Sequence, residues 1–330
     1  MNVYHAIHSL IYLTSEHLRV ASEADAFYNI RMVQQHRDDA LGLMQYVWAL
    51  EGKNSAARGR QVQSALAALG LKVSIQKCRY PRIRNIIVDF PARASQRRLL
   101  FSAHYDAVKG TPAANDNASG VAVLLGLCQE LQQSVSTPVR VVFFDREEAW
   151  LRTPFFRLGL LGSMNYAFRT DLKDIAAVYN LEFCGLGRSV AMWPVKRNQQ
   201  ELPAVRSVVK AAAKLQVDIR YGHIPWFFLS SDHLPFRFRG LSDAVTLSLL
   251  PDTQAAELER FMSGTSIPRL LTGGKPALPG VLASLHTADD NSTRLSEDSL
   301  RLMLSLVREI IQDYQTTIEQ SKGRLVTRMV

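Results

Sequence analysis

Cysteine is scarce in this sequence: Cys78, Cys128 and Cys184 lie far apart, no CxxC pair occurs, and an odd count leaves at least one thiol unpaired. That usage fits a reducing compartment and leaves no material for a closed, Cys-rich metal site. Long apolar runs are also missing. No segment has the roughly 18 uninterrupted apolar residues that a membrane span needs. The first residues, "MNVYHAIHSLIYLTSEHLRV", are broken by His5 and His8, with no basic stretch before them and no small-residue cleavage site after them. The expectation is a soluble, cytoplasmic protein with no membrane span. No Pro/Gly/Ser-rich linker and no repeat divides the chain, which points to one principal domain. A long basic block is absent too. The 39 Lys+Arg against 30 Asp+Glu give a formal net charge of +9, but the cations are dispersed as pairs such as Arg97-Arg98 and Lys196-Arg197. Without aromatic interleaving, that dispersal gives no reason to expect nucleic acid as a partner.

What is present is a chain whose hydrophobic fraction of 47% can build a sizeable core. The first 75 residues read as helical: Leu41, Met44, Val47, Trp48 and Leu50 recur near helical spacing, and "ARGRQVQSALAALGLKV" is a second amphipathic helix closed by Gly70. The period then changes. "NIIVDF" (85–90), "RRLLFSAHYD" (97–106), "VRVVFFD" (139–145), "IAAVYNLEF" (175–183) and "DAVTLSLL" (243–250) read as strands. Helices are expected over 118–134 and 299–314, the second with Leu300, Met303, Val307, Ile310 and Tyr314 on one face. Strands alternating with helices indicate an α/β layer fold with a mostly parallel sheet. Residues 150–162 and 252–280 read as long loops, which are more often functional than idle.

The informative pattern is where the strands end. Successive strands terminate at His104-Tyr105-Asp106, at Asp145-Arg146-Glu147-Glu148 and at Asn180-Leu181-Glu182. Ligands of open α/β sheets bind outside the carboxyl ends of the strands, so these groups should converge on one crevice. Each alone has an ordinary explanation: a surface or core histidine, a solvated acidic loop, or, for Asp116, a helix cap. Together they are carboxylates crowded into one crevice, which repel one another unless a cation or a proton neutralises them. Histidine plus carboxylate without a thiolate pair suits zinc or a related divalent ion in a catalytic site with an open position. His286, in "LHTADDN", is the natural second imidazole.

Seven short motifs, "HYD", "NDNASGVA", "DREE", "LLGSMNYA", "NLEFCG", "SDHLPF" and "HTADD", run in order between about residues 40 and 315. In these the sequence resembles the zinc aminopeptidase and glutamate carboxypeptidase-like exopeptidases, with glutaminyl cyclases and transferrin receptors as divergent relatives. The resemblance implies a three-layer α/β/α fold around a central mixed, mostly parallel sheet. It also implies an N-terminal helical extension over 1–40, one catalytic domain over 41–320 and a tail over 321–330.

For the site, the resemblance implies two Zn2+ ions, replaceable by Co2+ or Mn2+. His104, Asp116 and Glu182 would hold one, and Asp116, Glu148 and His286 the other, with Asp116 bridging. Glu147 would be the general base, and Asp106, on the same strand face as His104, would orient that ligand. A cis peptide would follow Asp116. Asp232 in "SDHLPF" would lie near the metals or bind the substrate amine, its alternative being an ordinary loop aspartate. Trp226 and Phe227 would line an apolar side-chain pocket or else belong to the core. Arg188, after "CGLG", reads as solvated in preference to meeting a substrate carboxylate.

Two departures stand out: Glu182, where the family often has Asp, and the segment "AWLRTPFFRL", which intervenes between "EE" and "GLLGS" beside the catalytic glutamates. The reaction implied is hydrolysis of peptide bonds at a free terminus, with an aminopeptidase as the default. The alternatives are a single-zinc glutaminyl-peptide cyclotransferase and a non-catalytic binding domain on the same fold.

Overall fold

A computed structural model describes residues 42–92, 96–132, 138–148, 151–152, 157–195, 199–222, 231–254, 257 and 280–327. Helices α1 (Leu43–Leu50) and α2 (Ser55–Ala68) come first, followed by strands β1 (Val73–Cys78), β2 (Ile83–Asp89) and β3 (Arg98–His104). A π-type turn, Ala114–Ala118, leads into α3 (Ser119–Leu131) and β4 (Val139–Phe144). A short hairpin of β5 (Leu151–Arg152) and β6 (Arg157–Leu158) precedes α4 (Leu161–Arg169), β7 (Ile175–Leu181) and β8 (Ser189–Trp193). The remainder is α5 (Pro203–Leu215), β9 (Ile219–Tyr221), α6 (Leu234–Phe238), β10 (Ala244–Leu250), the single turn α7 (Gly280–Ala283) and the long α8 (Glu297–Thr327).

Eight strands form one sheet in the order β1-β2-β4-β3-β7-β10-β8-β9. Its centre, β4-β3-β7-β10, is parallel, while β2 and β8 pair antiparallel on either side, so the sheet is mixed as expected. The central strands have apolar residues on both faces because helices cover both. On one face Phe101 of β3 stacks on Tyr179 of β7 with centroids 5.3 Å apart, beneath α3, α5 and α8. On the other, Leu100, Phe144 and Val178 pack with Tyr166 of α4 and Phe236 of α6. Helix α3 is buried without interruption from Ser119 to Cys128, which explains why its sequence is apolar all round and not striped.

Some expectations need correction. The helical reading of the first 75 residues overruns: β1 begins at Val73 and pairs with β2 along its whole length. Residues 150–162 are not one long loop, since Leu151–Arg152 pairs with Arg157–Leu158 and α4 starts at Leu161. Strand β3 ends at His104, so Asp106 lies in the loop beyond the strand. The readings of 1–40, of most of 252–280, and of Trp226 and Phe227 fall outside the described residues. Among the described residues no helix is long and apolar enough to cross a membrane.

Candidate metal centre

Three parallel strands deliver the site. The register aligns His104 with Phe144 and Ser102 with Asn180, so the chain leaves β3, β4 and β7 at one level and at the same edge. Just below that edge a buried polar layer fixes the strand ends: Ser102 Oγ donates to Asn180 Oδ1, and Asn180 Nδ2 donates to Ser231 Oγ and Thr246 Oγ1. Because Ser231 is held there, its neighbour Asp232 is carried into the same crevice.

Six carboxylates are gathered and buried here: Asp106, Asp116, Glu147, Glu148, Glu182 and Asp232. Asp116 is central. Its Oδ1 lies 3.1 Å from His104 Nε2 and its Oδ2 lies 3.3 Å from His286 Nε2, so one carboxylate faces two imidazoles from opposite sides. Glu182 Oε1 is 3.8 Å from His104 Nε2, and Glu148 Oε1 is 2.9 Å from His286 Nε2. Asp116, Glu148 and His286 each offer a ligand atom within 4.8 Å of the others. The two ligand groupings implied by the motifs are therefore both brought together. The Asp116-Asn117 peptide is cis, again as implied.

Two aspartates hold the ligand loops by their backbones. Asp106 Oδ1 lies 3.3 Å from His104 Nδ1, and its two oxygens accept the N–H groups of Glu147 and Glu148, each at 3.1 Å. Asp290 does the same on the opposite side, accepting from Asn115 N at 2.7 Å and from Asp116 N at 3.1 Å. Each carboxylate spans two adjacent amides, a charge-assisted arrangement that fixes the direction of the loop as well as its position. Asp290 closes the "HTADD" motif, yet its residue type and spacing give it no role of its own; only the fold brings it beneath Asp116.

Other supports are equally silent in the sequence. Arg58, fully buried on α2, donates from Nη2 to the carbonyls of Pro112 and Ala113, at the start of the turn that carries Asp116. Asn117 donates to Leu181 O and accepts from Gly120 N, while Asn115 Oδ1 accepts from Gly185 N, stitching the Asp116 turn to the Glu182 strand end. That approach requires Gly120: a Cβ there would lie 2.4 Å from Asn117 Oδ1 and 2.8 Å from Leu181 O. Nothing in an amphipathic helix pattern distinguishes Arg58 from a solvated arginine. Left-handed backbone at non-glycine residues recurs beside the site, at Ala113, Arg146, Phe183 and His286. Such strained conformations persist where the surroundings enforce them, typically at functional positions.

Electrostatics test whether these residues suit a cation. Burial pushes the Glu182 carboxyl up to about 8, with Asp116 and Asp232 adding to the rise and His104 opposing it. Burial likewise raises Asp232 to about 7 and drives Glu147 well above the carboxylate range, the neighbouring acids reinforcing both shifts against His104. His104 and His286 move upward although burial alone would lower them, because the hydrogen bonds they donate to their carboxylate neighbours prevail; His286 reaches about 9. Asp116 is held below its usual range despite burial, by those same two imidazoles. Both oxygens of Asp232 are buried without a hydrogen bond among the described residues. A crevice that raises its acids and holds protons on its imidazoles is short of positive charge. Its O/N donor set fits zinc or a similar divalent ion.

The remaining candidates are placed less centrally. Arg188 is exposed, which agrees with its reading as a solvated side chain.

Known proteins share this architecture. Aminopeptidase YwaD of Bacillus subtilis is 30% identical over 165 residues, which are 47% of this chain and 33% of YwaD. The probable lipoprotein aminopeptidase LpqL of Mycobacterium tuberculosis is 36% identical over 106 residues, 31% of this chain and 19% of LpqL. The matched stretch thus amounts to a third or less of either relative. Among solved structures, the zinc aminopeptidase BSAP from Bacillus subtilis superposes on 70% of this chain and 50% of its own, with a TM-score of 0.50 and 24% identity. Porphyromonas gingivalis glutaminyl cyclase superposes on 82% of this chain and 95% of its own, with a TM-score of 0.58 and 19% identity. The sequence profile of peptidase family M28 matches residues 85–311, a span that contains every candidate ligand and both backbone clamps described above, and the chain belongs to that family.

Proposed function

We propose that this protein is a binuclear zinc exopeptidase that removes residues from the free amino terminus of a peptide. The carrying observation is Asp116, whose two oxygens face His104 and His286 separately. In this reading His104, Asp116 and Glu182 hold one ion, and Asp116, Glu148 and His286 hold the other. When bound, the ions supply a nucleophilic water at neutral pH and polarise the scissile carbonyl.

The protein's own groups do the rest. Glu147, buried and raised well above the carboxylate range, takes a proton at its carboxylate and returns it to the leaving amine. Asp106 keeps Glu147 in place through its backbone N–H and holds the His104 ring through Nδ1. Asp232, buried with neither oxygen hydrogen-bonded among the described residues, offers a carboxyl group for the substrate's amine. The extra length of Glu182 does not prevent its approach to His104, which supports its place in the ligand set.

A second reading, cyclisation of amino-terminal glutamine with one zinc, draws support from the 95% of the Porphyromonas gingivalis cyclase that this fold accounts for. Metal analysis of the purified protein separates the two. Hydrolysis predicts close to two equivalents of zinc and release of aminoacyl-anilides, abolished by Glu147→Gln at unchanged metal content. One equivalent together with cyclisation of glutaminyl peptides would replace it.

A further inference from the structure

Beside the metal centre lies a cavity of about 860 Å³, with Asp106 and Glu148 in its lining. Besides Asp145 and the neutral Ser55, Gln63 and Tyr105, its lining carries five cations: Arg60 from α2, Arg82 and Arg84 at the entry to β2, Lys109 from the loop after β3, and Arg146 just beyond β4. These five come from four separate segments, so the concentration of charge belongs to the fold and not to a basic run in the sequence. The cavity's acids are already occupied. Asp106 accepts two backbone N–H groups, Glu148 pairs with His286, and Asp145 accepts the N–H of Arg84. Among the described residues none of the five cations has an ion pair within 4.0 Å. Arg60, Arg82 and Lys109 are exposed and Arg84 and Arg146 half-buried, so the wall is open to solvent, and its pull on an anion comes from five cations converging on one concave surface.

We infer that this cavity selects substrates carrying a carboxylate close to the scissile bond, seated against Arg60, Arg82, Arg84, Lys109 and Arg146 while the reacting end faces Glu148. The inference rests on the exopeptidase reading for the direction of the substrate, and it extends that reading to a substrate class. A carboxylate can come from an acidic side chain or from the free carboxyl end of a short peptide. Guanidinium groups suit either, through paired hydrogen bonds.

The test is equilibrium binding to the full chain carrying Glu147→Gln, which leaves the peptides uncleaved, measured by calorimetry at low and at high salt with two peptide pairs. One pair begins with Glu or with Gln and is amidated; the other is a trialanine with a free or an amidated carboxyl end. The acidic member of at least one pair is expected to bind about tenfold more tightly than its neutral partner. The pair that shows the difference identifies the source of the carboxylate. The difference should shrink as salt is raised. Arg60→Gln should reduce it about threefold, and so should Arg84→Gln. Arg206→Gln, equal in charge change and exposed on α5, should leave it intact. Equal binding within both pairs, or an equal loss with Arg206→Gln, overturns the inference. Binding is read without turnover, so a protein that hydrolyses no peptide would end the exopeptidase reading, while the difference within each pair would still decide whether the cavity holds a carboxylate.

Discussion

Asp290 holds Asp116 by its backbone: the Oδ2 of one buried aspartate accepts the N–H of the other at 3.1 Å, while its Oδ1 accepts the neighbouring N–H of Asn115 at 2.7 Å. Two carboxylates of like charge are thus neighbours, and Asp290 itself is pushed up to about 6, by burial first and by Asp116 second. The contact is tolerated because Asp290 addresses amide protons while Asp116 turns both oxygens toward imidazoles. The loop that brings His286 therefore also fixes the turn that brings Asp116. Replacing Asp290 by Ala should weaken zinc binding about 10- to 100-fold, as expected for a group that orients a ligand. Asp290→Asn keeps one acceptor and should lose less. Competition with a chromogenic chelator would measure both.

Arg58 supports the same turn from the other side. Its Nη2 holds the Pro112 and Ala113 carbonyls at 2.9 and 2.7 Å, in a position with no solvent exposure. Arg58→Met removes both donors and should destabilise the fold by about 2–4 kcal/mol in urea titration. Lysine cannot reproduce the planar fork that also reaches Lys53 O through Nε, so Arg58→Lys should recover less than half of the loss.

Stability of the metal-free protein should fall as pH rises. Asp232 and Glu182 have folded values of about 7 and about 8 against ordinary values of 3.8 and 4.5, and His286 about 9 against 6.5. In each case the folded state keeps a proton that the unfolded chain releases, so stability declines from the unfolded value up to the folded one. The window runs from about pH 4 to about pH 9. Asp116, shifted the other way, acts only below that window. Zinc replaces the protons, so the gap in Tm between zinc-loaded and metal-free protein should widen across the window. Thermal melts at one-unit pH steps with and without zinc would show it; a gap constant with pH would contradict the electrostatic account.

Gly162 is the tightest test of how the fold positions the glutamates. A Cβ there would sit 2.0 Å from Asp145 O and 2.7 Å from Asn85 Oδ1. Gly162→Ala must displace the end of β4, which carries Glu147 and Glu148. It should cost about 3 kcal/mol and lower zinc affinity together, since the overpacked contact is backbone. Loss of stability with zinc affinity unchanged would show that the displacement is absorbed elsewhere.

Strands β2, β3, β4, β7 and β10 were legible because burial within the sheet writes largely continuous apolar runs, as in "RLLFSAH" and "AVTLSLL", whereas helices α4, α5 and α6 were not foreseen. The candidate ligands were legible as a group, because metal sites restrict residue type and the chain visits the crevice at successive strand ends. Strands β8 and β9 were not foreseen. Five residues and three residues carry too little period to register, and their pairing is supplied by β10.

The sequence by itself determined the fold class, the family and which side chains could bind a cation, since local pattern and donor chemistry are carried residue by residue. Only the tertiary structure decided that Asp290 and Asp106 clamp opposite loops, that Arg58 lies buried beneath one of them, and that five dispersed cations share one cavity wall. Those relations join residues up to 175 positions apart. Distance along the chain says nothing of them. They arise when the sheet brings its strand ends to one edge and buried polar groups there must find partners.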